Sequence, residues 1–283
     1  MIERLWVTGA GGLLGNYLVR SACKFLPGTS VIGLTRPQLD LLDFTAVQNE
    51  FRRQKPQAII HCAALSRSPE CEADPLLARK LNVEATRVLA ELAGDIPFVL
   101  FSSDLVFDGR AGNYEESATV NPLSVYAQTK VEAEQIVTAN SNHTVIRTSL
   151  NGGTSISGDR GFNELLRREW AAGRTTRLFS DEFRSPIFAG VTAQAVLELL
   201  EGNRTGVFHI AGSERLSRLQ IGEMLASRWP ELRPGIEPGS LKQYVGPQRP
   251  PDSSLNCRKA QALLSFQLPG LSGWLEKNRT EVF

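Results

Sequence analysis

Tyr126 and Lys130 stand four positions apart in Tyr126-Ala127-Gln128-Thr129-Lys130. On a helix that spacing puts the phenol and the ammonium on one face. A phenol ordinarily titrates at roughly 10, too high for ready proton exchange at neutrality. A neighbouring ammonium favours the phenolate, so Lys130 is expected to lower that value and to hydrogen-bond a nicotinamide ribose. Ser102-Ser103-Asp104 follows the apolar run that starts at Phe98 and puts a hydroxyl where a strand would end. Ser103 can there hold a substrate carbonyl while Tyr126 supplies a proton and a dinucleotide supplies a hydride.

A place for that dinucleotide is written near the start, in Thr8-Gly9-Ala10-Gly11-Gly12-Leu13-Leu14-Gly15. Gly9 permits a tight turn, Gly12 leaves room for a pyrophosphate, and Gly15 lets a helix pack closely on the preceding strand. The free N–H groups and the helix dipole then favour an anion, with Gly9, Gly11, Gly12, Leu13 and Leu14 as its cradle. The second apolar run ends in Leu34-Thr35-Arg36-Pro37, with no carboxylate to accept from a ribose 2′-OH. Arg36 instead suits a 2′-phosphate. NADP(H) is therefore preferred and NAD(H) stays open, a solvated Arg36 being the alternative. Leu42 and Asp43 are spaced to flank an adenine, and Cys62-Ala63-Ala64 is small enough for the cofactor to lie across it.

These residues need a scaffold, and the order of apolar runs supplies one. Strand-like runs at Arg4–Thr8, Ser30–Thr35, Ala58–Cys62, Phe98–Ser102 and Thr144–Thr148 alternate with helical spacing at Leu13–Phe25, Ala46–Lys55, Pro75–Ala93 and Val125–Ala139. Thr45 is expected to cap the second helix. Strict alternation predicts an α/β fold, a doubly wound parallel Rossmann sheet, with a smaller C-terminal substrate domain over its edge. A helix over Phe162–Ala172, a helix over Ala193–Leu200 and a strand over Gly206–Ile210 follow. The six prolines of Pro230–Pro251 read as irregular surface structure. The expected division is residues 1–150 plus 189–212 for the dinucleotide and 151–188 plus 213–283 for the substrate.

Composition narrows the alternatives. The 283 residues are 42% apolar and 22% charged, and 31 basic against 30 acidic side chains leave a net charge of +1. That balance recruits neither nucleic acid nor an acidic membrane surface, and no apolar run reaches membrane-spanning length. Four scattered cysteines without a C-x-x-C, and three isolated histidines, argue against disulfides or a metal site. A cytoplasmic enzyme with a small-molecule substrate is the expectation, with a homodimer left open.

The glycine turn, Ser103, Tyr126 and Lys130 together resemble the extended short-chain dehydrogenase/reductases. A closer similarity, to the dTDP-4-dehydrorhamnose reductase branch, runs through Arg36–Asp43, His61–Ala64, Leu81-Asn82-Val83, Ser102–Gly109, Tyr114-Glu115-Glu116, Asn121–Tyr126, Arg147-Thr148-Ser149, Arg249-Pro250 and Ser253–Asn256. The resemblance implies NAD(P)H-dependent reduction of a 4-keto group on a nucleotide-linked deoxysugar. Ser103 would orient the ketone, Tyr126 would be the acid, Lys130 would bind ribose, and Asp104 would touch the sugar. Arg184, in Asp181-Glu182-Phe183-Arg184-Ser185-Pro186, would meet substrate where this family closes its pocket. The chain departs from the family at Leu105, Ala127, Leu150 and Gly152, where the family has Tyr, Gly, Trp and a further aromatic. Stacking on a rhamnose precursor is thereby lost.

Other residues carry plainer readings. His61 is expected to be a satisfied core histidine, Asn82 a structural bridge through water, and Arg167, Arg168, Arg174 and Arg177 a solvated face. Two further functions remain by resemblance: a cofactor-binding regulator like the methionine adenosyltransferase β subunit, and a sugar-nucleotide epimerase or dehydratase. Ser103-Asp104-Leu105 lacks the second carboxylate that a dehydratase generally wants.

Overall fold

The computed structural model describes residues 2–283. Five strands, β1 (Arg4–Thr8), β2 (Ser30–Leu34), β3 (Ala58–His61), β4 (Phe98–Ser103) and β5 (Thr144–Thr148), join Gly206–Ile210 in one six-stranded sheet. Its order is Gly206–Ile210, β5, β4, β3, β1, β2, and every neighbouring pair is parallel. Parallel strands need crossovers, and helices on both faces provide them. Helix α1 (Leu13–Phe25) and the helix Ala189–Glu201 cover one face around Leu18, Ile60, Ile146 and Val196. Helix α2 (Phe44–Gln54), the helix Ala85–Ala93 and the helix Val125–Thr138 cover the other around Trp6, Ile59, Leu89 and Val137. The fold is the expected doubly wound α/β sheet.

The chain runs outward from β1 to β2, then returns to place β3 on the other side of β1. Connections therefore diverge at the carboxyl ends of β1 and β3, which opens a crevice there. Thr8, the last residue of β1, pairs with His61, the last of β3.

A further core gathers Leu166, Trp170, Leu178, Ile221, Leu225, Trp229 and Trp274. Here the prolines misled: Gly235–Gly239 is a strand, parallel to Thr175–Phe179, with Pro238 opposite Leu178. An edge strand tolerates proline because one side of it needs no ladder donor. Two short pairs, Phe183–Arg184 with Leu216–Ser217 and Asn151–Gly152 with Ile187–Phe188, carry the connecting segments past the sheet edge.

Two local expectations are corrected. Asp43, not Thr45, caps α2, its Oδ1 accepting from the Ala46 N–H at 2.9 Å. Asp is an equally good cap and stands at the position where the backbone has not yet turned helical. The Pro75–Ala93 helix contains a π turn at Lys80–Glu84, an insertion that apolar periodicity does not reveal. That turn carries Asn82, whose Oδ1 accepts from Leu65 N at 2.8 Å while Nδ2 donates to Leu65 O at 3.0 Å and Thr129 Oγ1 at 2.9 Å. Asn82 is a structural clip, and it bonds directly rather than through water.

Candidate active site

The crevice is a cleft of about 820 Å³ that runs from the Gly9–Gly15 turn past Ser103, Tyr126 and Lys130 to Arg249 and Pro250. Its first end is shaped by missing side chains. Gly9 has φ +68°, and a Cβ there would lie 2.7 Å from Ala63 N. A Cβ on Gly15 would collide with the Gly9 carbonyl. Backbone from β1, α1 and the segment after β3 can meet only because both are glycine. Helix α1 begins after Gly12 with no side chain capping it, so its first N–H groups and dipole are left for an anion.

Along the nucleotide end, Gly9, Gly11, Gly12, Leu13, Leu14, Arg36, Leu42, Cys62, Ala63 and Ala64 all line the cleft as expected. Arg36 is 80% exposed and pairs with Asp40 at 3.6 Å. Such a pair is weak and leaves the guanidinium free to change partner. Asp43 does not line the cleft; its carboxylate is committed to the α2 cap.

The centre holds the predicted trio. Ser124 caps the Val125–Thr138 helix, its Oγ accepting from Ala127 N at 3.3 Å, and one turn inside that helix stand Tyr126 and Lys130. Both are buried yet reach the cleft wall. Burial pulls the Lys130 ammonium down to about 8, with the Glu134 carboxylate opposing the fall. The expected lowering of the phenol is not found. Burial, followed by the Asp104 carboxylate, pushes Tyr126 above its ordinary value, and Ser103 and Arg184 oppose that push. A phenol kept neutral in this way holds its proton for a developing oxyanion. His61, held to about 3 by burial and by Lys130, is neutral between Thr8 Oγ1 at 2.6 Å and Thr86 Oγ1 at 3.1 Å. It is the satisfied core histidine the sequence suggested.

Ser103 ends β4 and lines the cleft; Asp104 beside it does not. Asp104, expected to touch the sugar, is 0% exposed and turned away from the cleft. Its carboxylate is gripped by Arg184, with Nε donating to Oδ2 at 2.6 Å and Nη2 to Oδ1. Burial without a counter-charge would be far costlier than this fork. Arg184 does line the cleft, as expected.

The far end contains charges that sequence reasoning missed. Glu182 is 1% exposed and accepts from Arg249 Nη2 at 2.8 Å and Arg218 Nε at 3.1 Å, with Arg184 Nη1 at 3.7 Å. Burial pushes its pKa up, but Arg218, Arg249 and Arg184 outweigh that and hold it at about 2. Phe162 and Tyr244 lie under Arg218 and Arg249 at 4.5 and 5.3 Å, and both line the cleft. Of this group only Arg184 and Arg249 had been singled out, Glu182 being quoted beside Arg184 without a role. Spacing could not reveal a group whose members come from separate segments, Arg218 from the start of the helix Arg218–Arg228 and Arg249 from a distant loop. Arg167, Arg168, Arg174 and Arg177 stay outside the cleft, three of them paired with Glu169 or Glu237. Among the described residues no cluster of His, Cys, Asp or Glu could hold a metal, and no helix is long and apolar enough to cross a membrane.

Against known proteins, residues 3–278 match the family described as RmlD substrate binding domain. A probable low-salt glycan biosynthesis reductase, Agl14, of Haloferax volcanii is 32% identical, over 78% of each chain. Methionine adenosyltransferase 2 subunit beta of Xenopus tropicalis is 30% identical, over 92% of this chain and 82% of its own. Among solved structures, a hypothetical dTDP-4-dehydrorhamnose reductase from Sulfolobus tokodaii superposes with a TM-score of 0.83 at 31% identity, over 95% of this chain and 97% of its own.

The depressed pKa of Glu182 makes a stability prediction. Its carboxylate stabilises the fold fully above the unfolded value of 4.5 and loses that contribution as pH falls towards about 2. The slice is on the order of 3 kcal/mol. Glu182→Gln should therefore melt earlier than wild type at pH 7, and the gap should shrink as both are titrated from pH 5 to pH 2. A gap that is constant with pH would remove Glu182 from the acid-sensitive part of the fold.

Proposed function

Because this chain belongs to the RmlD substrate binding domain family, we propose that it is an NADP(H)-dependent reductase of a 4-keto sugar nucleotide. The observation that carries the reading is one cleft joining an uncapped, glycine-shaped helix start to Ser103, Tyr126 and Lys130, and then to a cluster of arginines. The cofactor's pyrophosphate fits the Gly9–Leu14 turn, where Cβ atoms would block the approach of backbone, and its 2′-phosphate fits Arg36. Ala63 and Ala64 line the cleft with small side chains, and Lys130 would hold the nicotinamide ribose when the cofactor is bound. NAD(H) remains usable if Arg36 contributes little. When bound, the reduced cofactor supplies a hydride to the substrate's carbonyl carbon.

The chain's own residues do the rest. Ser103 Oγ holds the carbonyl oxygen, and Tyr126, kept protonated by its surroundings, donates its phenolic proton to that oxygen as negative charge develops. Lys130, charged near neutrality, stabilises the phenolate left behind. Arg218 and Arg249 offer a diphosphate two guanidiniums that Glu182 only partly satisfies, with Tyr244 and Phe162 beside them for a base or sugar. Leu105 and Leu150 line the cleft where the family has aromatics, so the sugar is gripped by aliphatic contact. Residues 1–150 plus 189–212 act as the dinucleotide unit and 151–188 plus 213–283 as the substrate unit. We read the enzyme as cytoplasmic, in keeping with its free thiols, with a homodimer open.

The likeness to a regulatory subunit supports a second reading, cofactor binding without turnover. Leu105, standing where a dehydratase generally wants a second carboxylate, weighs against dehydration.

Tyr126→Phe removes one oxygen, so NADPH binding should survive while reduction of a 4-keto sugar nucleotide falls by roughly 10²–10⁴-fold. Turnover at the wild-type rate would move the acid elsewhere. In calorimetry, Arg36→Ala should weaken NADPH binding by more than about tenfold, since charge-assisted bonds contribute about 1.5–3 kcal/mol, and leave NADH nearly unchanged. Equal loss for both cofactors would return Arg36 to the solvated surface.

A further inference from the structure

Ser103 has a single hydroxyl hydrogen, and in this structure it is already committed. Its Oγ accepts from Leu105 N at 3.1 Å and donates to Asp104 Oδ1 at 3.1 Å. A serine that is to hold a carbonyl oxygen must turn that hydrogen away from Asp104 and into the cleft. Whether it can do so depends on what else satisfies the carboxylate.

Asp104 is well supplied on one side. Oδ2 takes Arg184 Nε at 2.6 Å, Ser149 Oγ at 2.6 Å and Ser253 Oγ at 3.3 Å. Among the described residues, Oδ1 takes Ser103 and Arg184 Nη2 alone. If Ser103 swings out, Arg184 alone keeps Oδ1 bonded. Without Arg184 a buried and unpaired anion would hold the serine hydrogen as its one remaining donor on that oxygen, and charged acceptors hold strongly. The same guanidinium opposes the push of Asp104 on the Tyr126 phenol. Its third nitrogen, Nη1, lies 3.7 Å from Glu182, whose carboxylate also braces Arg218 and Arg249.

We propose that Arg184 is a positioning residue for the reduction, neutralising Asp104 so that the Ser103 hydroxyl is free to turn to the substrate. The role rests on the reductase reading above. It differs from a direct grip on the sugar, because its effect passes through Asp104 and is removed when the Asp104 charge is removed.

The test measures kcat, KM and NADPH affinity for wild type, Arg184→Met and the double variant Asp104→Asn/Arg184→Met, using NADPH and a 4-keto-6-deoxyhexose nucleotide. Arg184→Met should lower kcat by at least about tenfold, with NADPH affinity unchanged. The double variant holds no buried unpaired charge, and it should recover most of the lost kcat. If the single variant does not fold, the double variant decides alone: kcat within about tenfold of wild type supports the role, and a larger loss with NADPH binding intact overturns it. A raised substrate KM at unchanged kcat, with no rescue in the double variant, would also overturn it and leave Arg184 as a plain substrate contact. Wild type that binds NADPH but reduces no 4-keto sugar nucleotide would fail the reductase reading itself, and this role with it.

Discussion

Asp104 lies wholly out of water one residue past the end of β4, and a bare carboxylate there would cost several kcal/mol. Arg184, eighty residues further along, meets it with a two-nitrogen fork. The pair fastens the catalytic edge of the parallel sheet to the segment that walls the cleft. From Arg184 the charges continue through Glu182 to Arg218 and Arg249. The cleft thus has an ionic spine, buried except at the part-exposed Arg249, with each member dependent on its neighbours. Replacing one member alone strands a charge, which is why single substitutions there are read most safely beside doubles.

The opposite end works by different physics. No charge is buried at the Gly9–Gly15 turn. The constraint is steric, because backbone from β1, α1 and the segment after β3 occupies the space of a Cβ. That contact aims the first N–H groups of α1 into the crevice, where a pyrophosphate meets a helix dipole. Between the two ends, burial is the main influence on the central pair: it lowers the Lys130 ammonium against the pull of Glu134 and, with Asp104, raises the Tyr126 phenol. The lysine is kept titratable near neutrality and the tyrosine is kept protonated. For an acid that delivers its proton to an oxygen gaining charge, a raised phenol is no handicap, provided that Lys130 meets the phenolate afterwards.

Sequence reasoning reached the sheet, the glycine turn and the Ser103, Tyr126 and Lys130 trio because these rest on local rules: alternation, a strand-turn-helix and an i, i+4 pair. It missed what depends on distance in the chain. Glu182, Arg218 and Arg249 meet from three separate segments, and nothing in their spacing announces it. Asp104 looked like a cleft residue because it follows Ser103, yet the chain turns there into a short 3₁₀ helix and the carboxylate pairs with Arg184 away from the cleft. Asp43 looked like an adenine neighbour, but a carboxylate beside an emerging helix is as readily used as a cap. The prolines of Pro230–Pro251 hid a strand because an edge ladder tolerates them.

The most direct measurement follows the hydride. The protein is incubated with NADPH deuterated at the transferable position and a nucleoside diphosphate 4-keto-6-deoxyhexose, and the sugar is read by NMR. The account predicts one deuterium on the former carbonyl carbon for each NADPH consumed, with the new hydroxyl proton coming from solvent through Tyr126. NADPH that binds tightly but is never oxidised, or a reduced sugar carrying no deuterium at that carbon, would contradict it.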